Sequence, residues 1–328
     1  MPKIYYEKDA EMDPLDGRTI AIVGYGNQGQ AQANNLRDSG CKVIIGSIKD
    51  ASYDQALKDG FKVHSISDAT KMADIIHILI PDEYQAKVYE KEIAPQLRKG
   101  KVLCFSHGFN IHFKQIVPPK FVDVIMIAPK APGALLRRMY QQGSGTPGLL
   151  AVEQDASGKA KKIALAMAKG VGLTRIGVVE TTFKEEVETD LFGEQAVLVG
   201  GVSELMKAGF ETLVEAGYQP EIAYFECLNE LKLIVDLVYE HGIEGMMKAV
   251  SNTAEYGGRT KGKLIIDDRA RKTMKKMLAE VQSGKFAKEW IEESQKGIPN
   301  LKRMREEAGK HLVERIGRDL RKWAGIEK

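Results

Sequence analysis

The feature that most constrains the fold of this 328-residue chain is a glycine-rich turn between a short strand and a helix. The run Thr19–Val23 is apolar and rich in β-branched residues, which predicts a buried strand. The letters GYGNQG come next, then a helical stretch, then a second strand from Lys42 to Ile45. In this context glycines let the backbone approach a pyrophosphate at a helix N-terminus. The turn predicted to bind a dinucleotide comprises Gly24, Tyr25, Gly26, Asn27, Gln28 and Gly29.

Apolar runs and helical stretches continue to alternate along the first 182 residues. Later strands are predicted at residues 74–80, 101–106, 122–128, 149–152 and 175–179, with a helix at 159–169. Such alternation is typical of an α/β fold with a doubly wound, mainly parallel sheet, whose ligands lie beyond the carboxyl ends of the strands. His107 and Lys130 each stand just after a predicted strand, so we predict that both belong to the site.

The loop after the second strand bears on which dinucleotide binds. An NAD site usually has an acidic residue near the end of this strand, and none stands there. Ser47, Lys49 and Ser52 could hold a 2′-phosphate, whereas Asp50 and Asp54 would oppose one. We therefore predict that NADP(H) is preferred and that NAD(H) is also accepted.

The second half of the chain carries two pairs of acidic residues at helical spacing. A helix is predicted after Thr182, and its apolar stripe of Val187, Leu191, Leu198, Val202 and Leu205 contains Glu194, with Asp190 one turn earlier. A second helix is predicted from Pro220 to Gly242, and its stripe of Ala223, Cys227, Ile234 and Leu237 contains Glu230, with Glu226 one turn earlier.

Four carboxylates on the core-facing sides of helices require positive charge nearby to offset the cost of burying them. An unpaired buried carboxylate is costly, and a like charge one turn away adds to that cost. Carboxylate oxygens suit Mg²⁺, and four of them can hold two such ions. From the residues alone, the alternative of solvated rim charges with Lys or Arg partners stays open.

Composition excludes several classes of partner. The net charge of +3 is too small to indicate binding to nucleic acid or to an anionic membrane. The first residues are charged, unlike a signal peptide, and no apolar run approaches the ~20 residues of a membrane span. The scattered cysteines Cys41, Cys104 and Cys227 indicate reduced thiols and a cytoplasmic protein.

Six blocks of sequence together resemble ketol-acid reductoisomerase (acetohydroxy acid isomeroreductase), in its short form. In chain order they are DGRTIAIVGYGNQGQAQANNLRDSG, FSHGFN, IAPKAPG, TTFKEEVETDLFGEQAVLVGG, ECLNELKLIVDLVYEHGI and SNTAEYG. The resemblance implies a Rossmann domain at residues 1–182 and an all-α, knotted helical domain at 183–328. It also implies Mg²⁺-dependent alkyl migration in 2-acetolactate or 2-aceto-2-hydroxybutyrate, followed by hydride transfer from NADPH to give the 2,3-dihydroxy acid. This is a reaction of branched-chain amino-acid biosynthesis.

The resemblance also implies roles for particular residues. Asp190 would bridge two Mg²⁺ ions, Glu194 would bind one, and Glu226 and Glu230 would complete the site from a neighbouring subunit. The active form would then be an obligate homodimer, which in the short form can assemble further, for example into a dodecamer. Ser251 would contact substrate, and either Glu230 or a metal-bound hydroxide would accept the proton.

In the same family the remaining matched positions belong to the active site and the cofactor. His107 matches the active-site histidine, and Lys130 would lie near the metals. The positions matching further cofactor contacts are Asp82, Glu83, Tyr84, Gln85 and Gly133. Many members have arginine where this chain has Ile48, so Lys49 is the candidate to contact the 2′-phosphate instead.

Two other functions are compatible with a nucleotide-binding first half. One is a metal-independent 3-hydroxy acid dehydrogenase, which also pairs a Rossmann domain with a helical one but has no use for four acids on core faces. The other is a nucleotide-binding sensor or assembly protein without turnover. Dependence on Mg²⁺ distinguishes the first from an isomeroreductase, and activity on acetolactate distinguishes the second.

Overall fold

The computed structural model describes residues 2–327 and contains two compact units, Met1–Thr189 and Asp190–Lys328. The first unit is built on one sheet of nine strands. They are β1 (Ile4–Tyr5), β2 (Thr19–Val23), β3 (Lys42–Gly46), β4 (Val63–His64), β5 (Ile75–Ile78), β6 (Val102–Phe105), β7 (Asp123–Pro129), β8 (Gly148–Gln154) and β9 (Val178–Glu180).

The strands lie in the order β1-β9-β8-β7-β6-β5-β2-β3-β4. Pairing is parallel except between β7 and β8 and between β1 and β9, so the predicted mainly parallel sheet is confirmed. The two edge strands β1 and β4 have two residues each, too few to produce a recognisable sequence pattern. Because the chain leaves β2 for β3 on one side and reaches β5 on the other, β2 lies at the switch point where ligands usually bind.

Helices cover both faces of this sheet. They are α1 (Asn27–Asp38), α2 (Ala51–Lys58), α3 (Ile66–Met72), α4 (Asp82–Val88), α5 (Phe109–His112), α6 (Gly133–Gln141) and α7 (Ala160–Val171). Along β7, Ile125 and Ile127 enter the core on one face, and Val124 and Met126 enter the core on the other. This alternation is expected of a strand buried on both sides.

The predicted glycine-rich turn forms between β2 and α1. Gly24 has a φ of +95°, a conformation that favours glycine. A Cβ at Gly29 would lie 2.1 Å from the carbonyl oxygen of Gly24, so the first turn of α1 can pack against the loop only without a side chain there. The backbone thus leaves the N-terminus of α1 accessible to a ligand.

The second unit is helical, as expected, and α8 (Phe183–Gly193) runs across the division between the units. Its other helices are α9 (Gly200–Glu215), α10 (Pro220–Tyr224), α11 (Glu230–Ala249), α12 (Asn252–Ile265), α13 (Asp268–Gln282), α14 (Lys285–Gln295), α15 (Pro299–Gly309) and α16 (Leu312–Trp323). Two π-turns, Glu194–Leu198 and Phe225–Asn229, interrupt this regular structure. Across residues 2–327, the helices are all too short or too polar to cross a membrane. The knot implied by the resemblance stays a prediction.

The apolar stripe predicted for the first helix after Thr182 is buried in its first part only. Val187 and Leu191 are buried, but Leu198 and Leu205 are 69% and 52% exposed within one chain. The first π-turn accounts for the change, because one inserted residue rotates all later side chains by about 100° around the helix axis. The predicted start is correct, since the Thr182 hydroxyl accepts the N–H of Glu185 at 3.0 Å.

The second predicted helix begins at Pro220 as expected, but it is not continuous. It is divided by the second π-turn, and it ends at Gly242 as expected, because the backbone there is non-helical with a φ of +73° and a second helical segment follows to Ala249. Ala223 is buried, whereas Glu226 and Glu230 are exposed, as is Glu194 on the first helix. The expectation that these acids face a core is therefore wrong for a single chain, and only Asp190 is half-buried.

Candidate functional site

A cavity of about 880 Å³ opens at the carboxyl ends of β2, β3, β5 and β6. This is where a doubly wound sheet binds its ligand. The predicted cofactor residues that line it are Gly24, Tyr25, Gly26, Asn27, Gln28, Ser47, Ser52, Asp82, Tyr84 and Gln85. His107 lines it as well. The cavity therefore brings together most of the residues that the glycine-rich turn and the later strand ends predicted.

Four other predicted cofactor residues are not part of this lining. They are Gly29, Lys49, Glu83 and Gly133. A Cβ at Gly133 would lie 2.1 Å from the carbonyl oxygen of Asn27, so this glycine lets α6 approach the turn. Gln28 Nε2 donates to the carbonyl of Ala131 at 2.9 Å, which holds the same two segments together. Gly29 and Gly133 thus do not line the cavity, but they allow α1 and α6 to pack closely against the glycine-rich turn.

The loop after β3 is organised by Asp50. Its carboxylate accepts the N–H groups of Ser52 and Tyr53, both at 3.0 Å, and the Ser52 hydroxyl at 2.6 Å, and so caps α2. The hydrogen bond from Ser52 is the main reason that the pKa of Asp50 lies below its usual value. Asp50 and Ile48 both line the cavity, so this end presents a carboxylate and an apolar side chain. Two cations that also line it, Lys87 and Lys91, were not singled out from the sequence.

Tyr25 connects the glycine-rich turn to the far end of α2. Its hydroxyl donates to Asp59 at 2.6 Å and accepts from Asn34 at 3.0 Å. Asp59 also accepts the side-chain amides of Gln30 and Gln55 at 3.1 Å and 2.8 Å. These bonds fix the turn relative to the two helices that border the cofactor cavity.

A buried carboxylate, Glu186, lies beside His107 and Lys130. One of its oxygens is 3.1 Å from His107 Nδ1 and 3.2 Å from the N–H of Gly108, and the other is 3.3 Å from the Lys130 ammonium. Its side chain is 1% exposed. The two predicted site residues at the ends of β6 and β7 are therefore joined through one glutamate on α8.

The electrostatics of this cluster favour the charged form of Glu186. Burial alone would raise the pKa of Glu186, but the hydrogen bond from His107, the charges of His107 and Lys130, and the N–H of Gly108 outweigh burial and lower it. A buried carboxylate is tolerated when it is paired and hydrogen-bonded in this way. Gly108 is part of the arrangement, since a Cβ there would lie 2.8 Å from the Phe183 ring and 2.9 Å from Val187.

Sequence reasoning missed Glu186, although a signal was present. Glu186, Asp190 and Glu194 are spaced by four residues and form one acidic row. The apolar stripe indicated only Asp190 and Glu194 as site residues, although Glu186 is the most buried of the three acids.

In the second unit the predicted ligands occupy distinctive places. Glu194 begins the first π-turn, Glu226 lies within the second, and Glu230 comes directly after it. Such turns occur frequently at functional sites. Ser251 has a local role as the N-cap of α12, because its hydroxyl accepts the N–H of Ala254 at 3.2 Å. Its contact with substrate stays a prediction.

Comparison with known proteins identifies both halves of the chain. Residues 14–177 match the family model described as acetohydroxy acid isomeroreductase, NADPH-binding domain, and residues 183–325 match ketol-acid reductoisomerase, C-terminal domain. The ketol-acid reductoisomerase (NADP(+)) of Petrotoga mobilis is 61% identical over 98% of each chain. That of Methanocaldococcus jannaschii is 56% identical over 100% of each chain.

A solved structure from the same family is also similar to this chain. An NADH-preferring ketol-acid reductoisomerase from an uncultured archaeon superposes with a TM-score of 0.95, at 52% identity over 98% of each chain. The match of both halves to one family sets aside the dehydrogenase and sensor alternatives. The resemblance carried by the six blocks is confirmed over the whole length, and so is the expectation of an NADP-linked oxidoreductase. The chain belongs to the ketol-acid reductoisomerase family.

Proposed function

We propose that the chain converts 2-acetolactate, or 2-aceto-2-hydroxybutyrate, to the 2,3-dihydroxy acid in branched-chain amino-acid biosynthesis. The observation that carries this proposal is the full-length match to isomeroreductases, with the acidic positions of the family present in this sequence. When bound, two Mg²⁺ ions would supply Lewis acids for the migration, and the reduced nicotinamide would supply the hydride. We further propose residues 1–182 as the cofactor domain and residues 183–328 as the metal and substrate domain.

The metal proposal rests on the donor set. Asp190 and Glu194, one turn apart, and Glu226 and Glu230, within and directly after the second π-turn, provide hard oxygen ligands of the kind that Mg²⁺ prefers. Three of the four are exposed in a single chain, so they are accessible to an ion and to a second subunit. Ser251 is proposed to contact the substrate.

In the first unit, His107, Lys130 and Glu186 are proposed to act together. His107 lines the cofactor cavity, and the buried carboxylate of Glu186 orients its ring through Nδ1. Lys130 is held by the same carboxylate, which keeps an ammonium group at the end of β7. Glu230, or a hydroxide held by the metals, is proposed as the proton acceptor for the migration.

The cofactor proposal is NADP(H) with NAD(H) also accepted. The NADP(+)-linked relatives support the first part. The carboxylate of Asp50 in the cavity wall and the NADH-preferring solved relative support the second. Lys49 remains the proposed phosphate contact on this loop, although the cavity is lined by Lys87 and Lys91.

Asp50→Asn is expected to raise the ratio of kcat/KM for NADPH to that for NADH by about tenfold, roughly the effect of one charge near a phosphate. Asparagine caps a helix as well as aspartate does, so α2 should stay in place. Lys49→Ala is expected to move the ratio the other way. Steady-state kinetics with both cofactors measures this ratio, with Asp155→Asn, a change at an exposed acid that does not line the cavity, as the control. Equal changes with both cofactors would remove these residues from phosphate selection.

The proposed active assembly is an obligate homodimer with shared sites, able to form larger homo-oligomers such as a dodecamer. Its support is the apolar surface of the second unit, where Tyr239 is 88% exposed and Leu233, Val235 and Ile243 are more than half exposed. Surfaces of this kind usually mark an interface. The three unpaired cysteines support a reducing, cytoplasmic setting.

Mixing Asp190→Asn with Glu226→Gln protein is expected to restore activity to two inactive preparations. If each site takes one acidic pair from each subunit, a mixed dimer contains one site with both defects and one intact site. A statistical mixture would then recover about one quarter of wild-type activity by this counting. Subunit exchange is verified by native mass spectrometry, and no recovery despite exchange would contradict shared sites.

The proposed function is tested by NADPH oxidation on 2-acetolactate, with and without Mg²⁺. We expect turnover that requires Mg²⁺, is lost with EDTA and returns when Mg²⁺ is restored. Product identity as the 2,3-dihydroxy acid is checked by mass spectrometry. Metal-independent oxidation, or no turnover of either acetohydroxy acid by folded protein, would overturn the proposal.

A further inference from the structure

Each acidic pair of the second unit includes a residue whose backbone makes the hydrogen bond that closes a π-turn. The N–H of Val199 donates to the carbonyl of Glu194, five residues earlier, at 3.0 Å. The N–H of Glu230 donates to the carbonyl of Phe225, again five residues earlier. An α-helix joins residues four apart, so each turn holds one residue more than regular helix. Among residues 2–327 there is one further π-segment, Tyr89–Ile93 in the first unit, and it carries no proposed metal ligand.

A π-turn changes the direction of the side chains at its residues. Each residue added to a helix moves the next side chain by about 100° around the axis. Metal ligands must be held within roughly 10–20° of their productive direction. A change from π-turn to α-helix after Glu194 would therefore rotate α9 and the helices after it relative to the Asp190 and Glu194 carboxylates, by enough to separate them from ligands that those helices position in a shared metal site.

Two glycines at the start of α9 make the first π-turn possible. A Cβ at Gly200 would lie 2.3 Å from the carbonyl oxygen of Gln195, and one at Gly201 would lie 2.1 Å from that of Ala196. The obstructing atoms are backbone atoms of the turn itself, so no side chain can move aside to relieve the contact. At Gly193, just before the turn, the nearest atom to an added Cβ is the end of the Leu198 side chain, 3.8 Å away.

We propose that Gly200 and Gly201 are positioning residues for metal binding, because they keep the π-turn that sets the direction of the Glu194 carboxylate relative to α9 and the helices after it. The inference rests on the proposed role of Asp190 and Glu194 as Mg²⁺ ligands. It explains why two residues with poor helix propensity stand together inside a long helical stretch. The close contact with the turn excludes every side chain at both positions, including alanine.

The test is calorimetric titration of Mg²⁺ into purified protein without cofactor or substrate. Gly200→Ala and Gly201→Ala are each expected to weaken Mg²⁺ binding by about 10- to 100-fold, the usual effect of a change that reorients ligands. Their Kd for NADPH should stay within about twofold of wild type, because the cofactor cavity lies in the first unit. Gly193→Ala is the matched control and should bind both ligands as wild type does.

A deletion keeps the inference testable if the alanine variants fold poorly. Val197 is an exposed residue inside the π-turn, and its deletion removes the extra residue, leaving continuous α-helix. The deletion variant should fold and lose Mg²⁺ affinity to the same extent. Adding Gly200→Ala or Gly201→Ala to it should cause no further loss, since the obstructed carbonyls have moved.

Each outcome has a distinct meaning. Normal Mg²⁺ affinity in the alanine variants or in the deletion variant, while Asp190→Asn binds weakly, would overturn the inference and leave the proposed function standing. Wild-type Mg²⁺ binding by Asp190→Asn would overturn both. Loss of the dimer in light scattering together with loss of Mg²⁺ binding would assign the glycines to assembly, and that too would overturn their role in positioning Glu194.

Discussion

Asp190→Asn is expected to abolish the isomerisation, lowering turnover of 2-acetolactate by at least about 10³-fold, which corresponds to several kcal/mol of lost transition-state stabilisation. Asparagine keeps the size of the side chain and removes its charge, so a carboxylate proposed to bridge two ions is lost. The Kd for NADPH should not change, because Asp190 is not part of the cofactor cavity. Steady-state assays and Mg²⁺ calorimetry on the same preparation measure both quantities.

Thermal stability distinguishes a missing ligand from a damaged fold. Asp190→Asn should stay folded without metal, since asparagine keeps the shape of the side chain and removes a like charge four residues from both Glu186 and Glu194. Mg²⁺ should raise the Tm of wild type in proportion to its binding, and should not raise that of the variant. Asp236→Asn, an exposed acid on α11 that pairs with Lys232, is the control. Turnover of Asp190→Asn equal to that of Asp236→Asn would remove Asp190 from the metal site.

Much of the first unit could be predicted because its signals are local. The strand, turn and helix around the GYGNQG letters are predicted by β-branched runs and glycine spacing, and each later strand end then points to the same edge of the sheet. His77, inside a predicted strand, is a fully buried core residue whose pKa burial lowers to about 4. Its Nε2 lies 2.8 Å from the side-chain oxygen of Gln32.

The features that could not be predicted depend on one residue or on distant contacts. A π-turn adds a single residue without changing local propensity, so the apolar stripe past Leu191 was assigned to the wrong face. Burial of Glu186 requires His107 and Lys130 to approach it from strand ends far away in the sequence. Exposed acids such as Glu226 look core-facing because apolar residues stand near them at helical spacing, and sequence alone does not separate an exposed apolar face from a core.

Glu186→Gln is expected to lower kcat by about 100-fold, at the lower end of the range for losing an acid–base group or its orientation. Glutamine has the same shape, but it presents an amide donor to a site that offers donors from Gly108 and Lys130. The Lys130 ammonium also loses its buried counter-charge. Because Glu186 acts through His107 and Lys130, the change in kcat should exceed the change in KM for NADPH, measured by steady-state kinetics.

Glu188→Gln provides a control on the same helix. Glu188 is also buried, and it lies 3.5 Å from His112 Nε2, so its replacement likewise removes a buried carboxylate beside a histidine. Both variants should lose stability by roughly 1–3 kcal/mol, the usual cost of leaving a buried polar partner unsatisfied. Only Glu186→Gln should lose activity to a degree that its stability does not explain. Equal kcat values for the two variants would show that the cluster around Glu186 is purely structural.

The pH dependence of stability gives an independent check. The pKa of Glu186 is lowered in the folded chain, so its ionised form stabilises the fold above the ordinary glutamate value, and this stabilisation is lost as the pH falls through the folded pKa. Wild type should therefore lose Tm in acid more steeply than Glu186→Gln, which has no proton to take up at this position. Parallel curves for the two proteins below the ordinary glutamate pKa of 4.5 would mean that the carboxylate is not held ionised by His107 and Lys130. Together with the split between kcat and KM, this result decides whether α8 contributes only a packing surface or also the charge that organises the ends of β6 and β7.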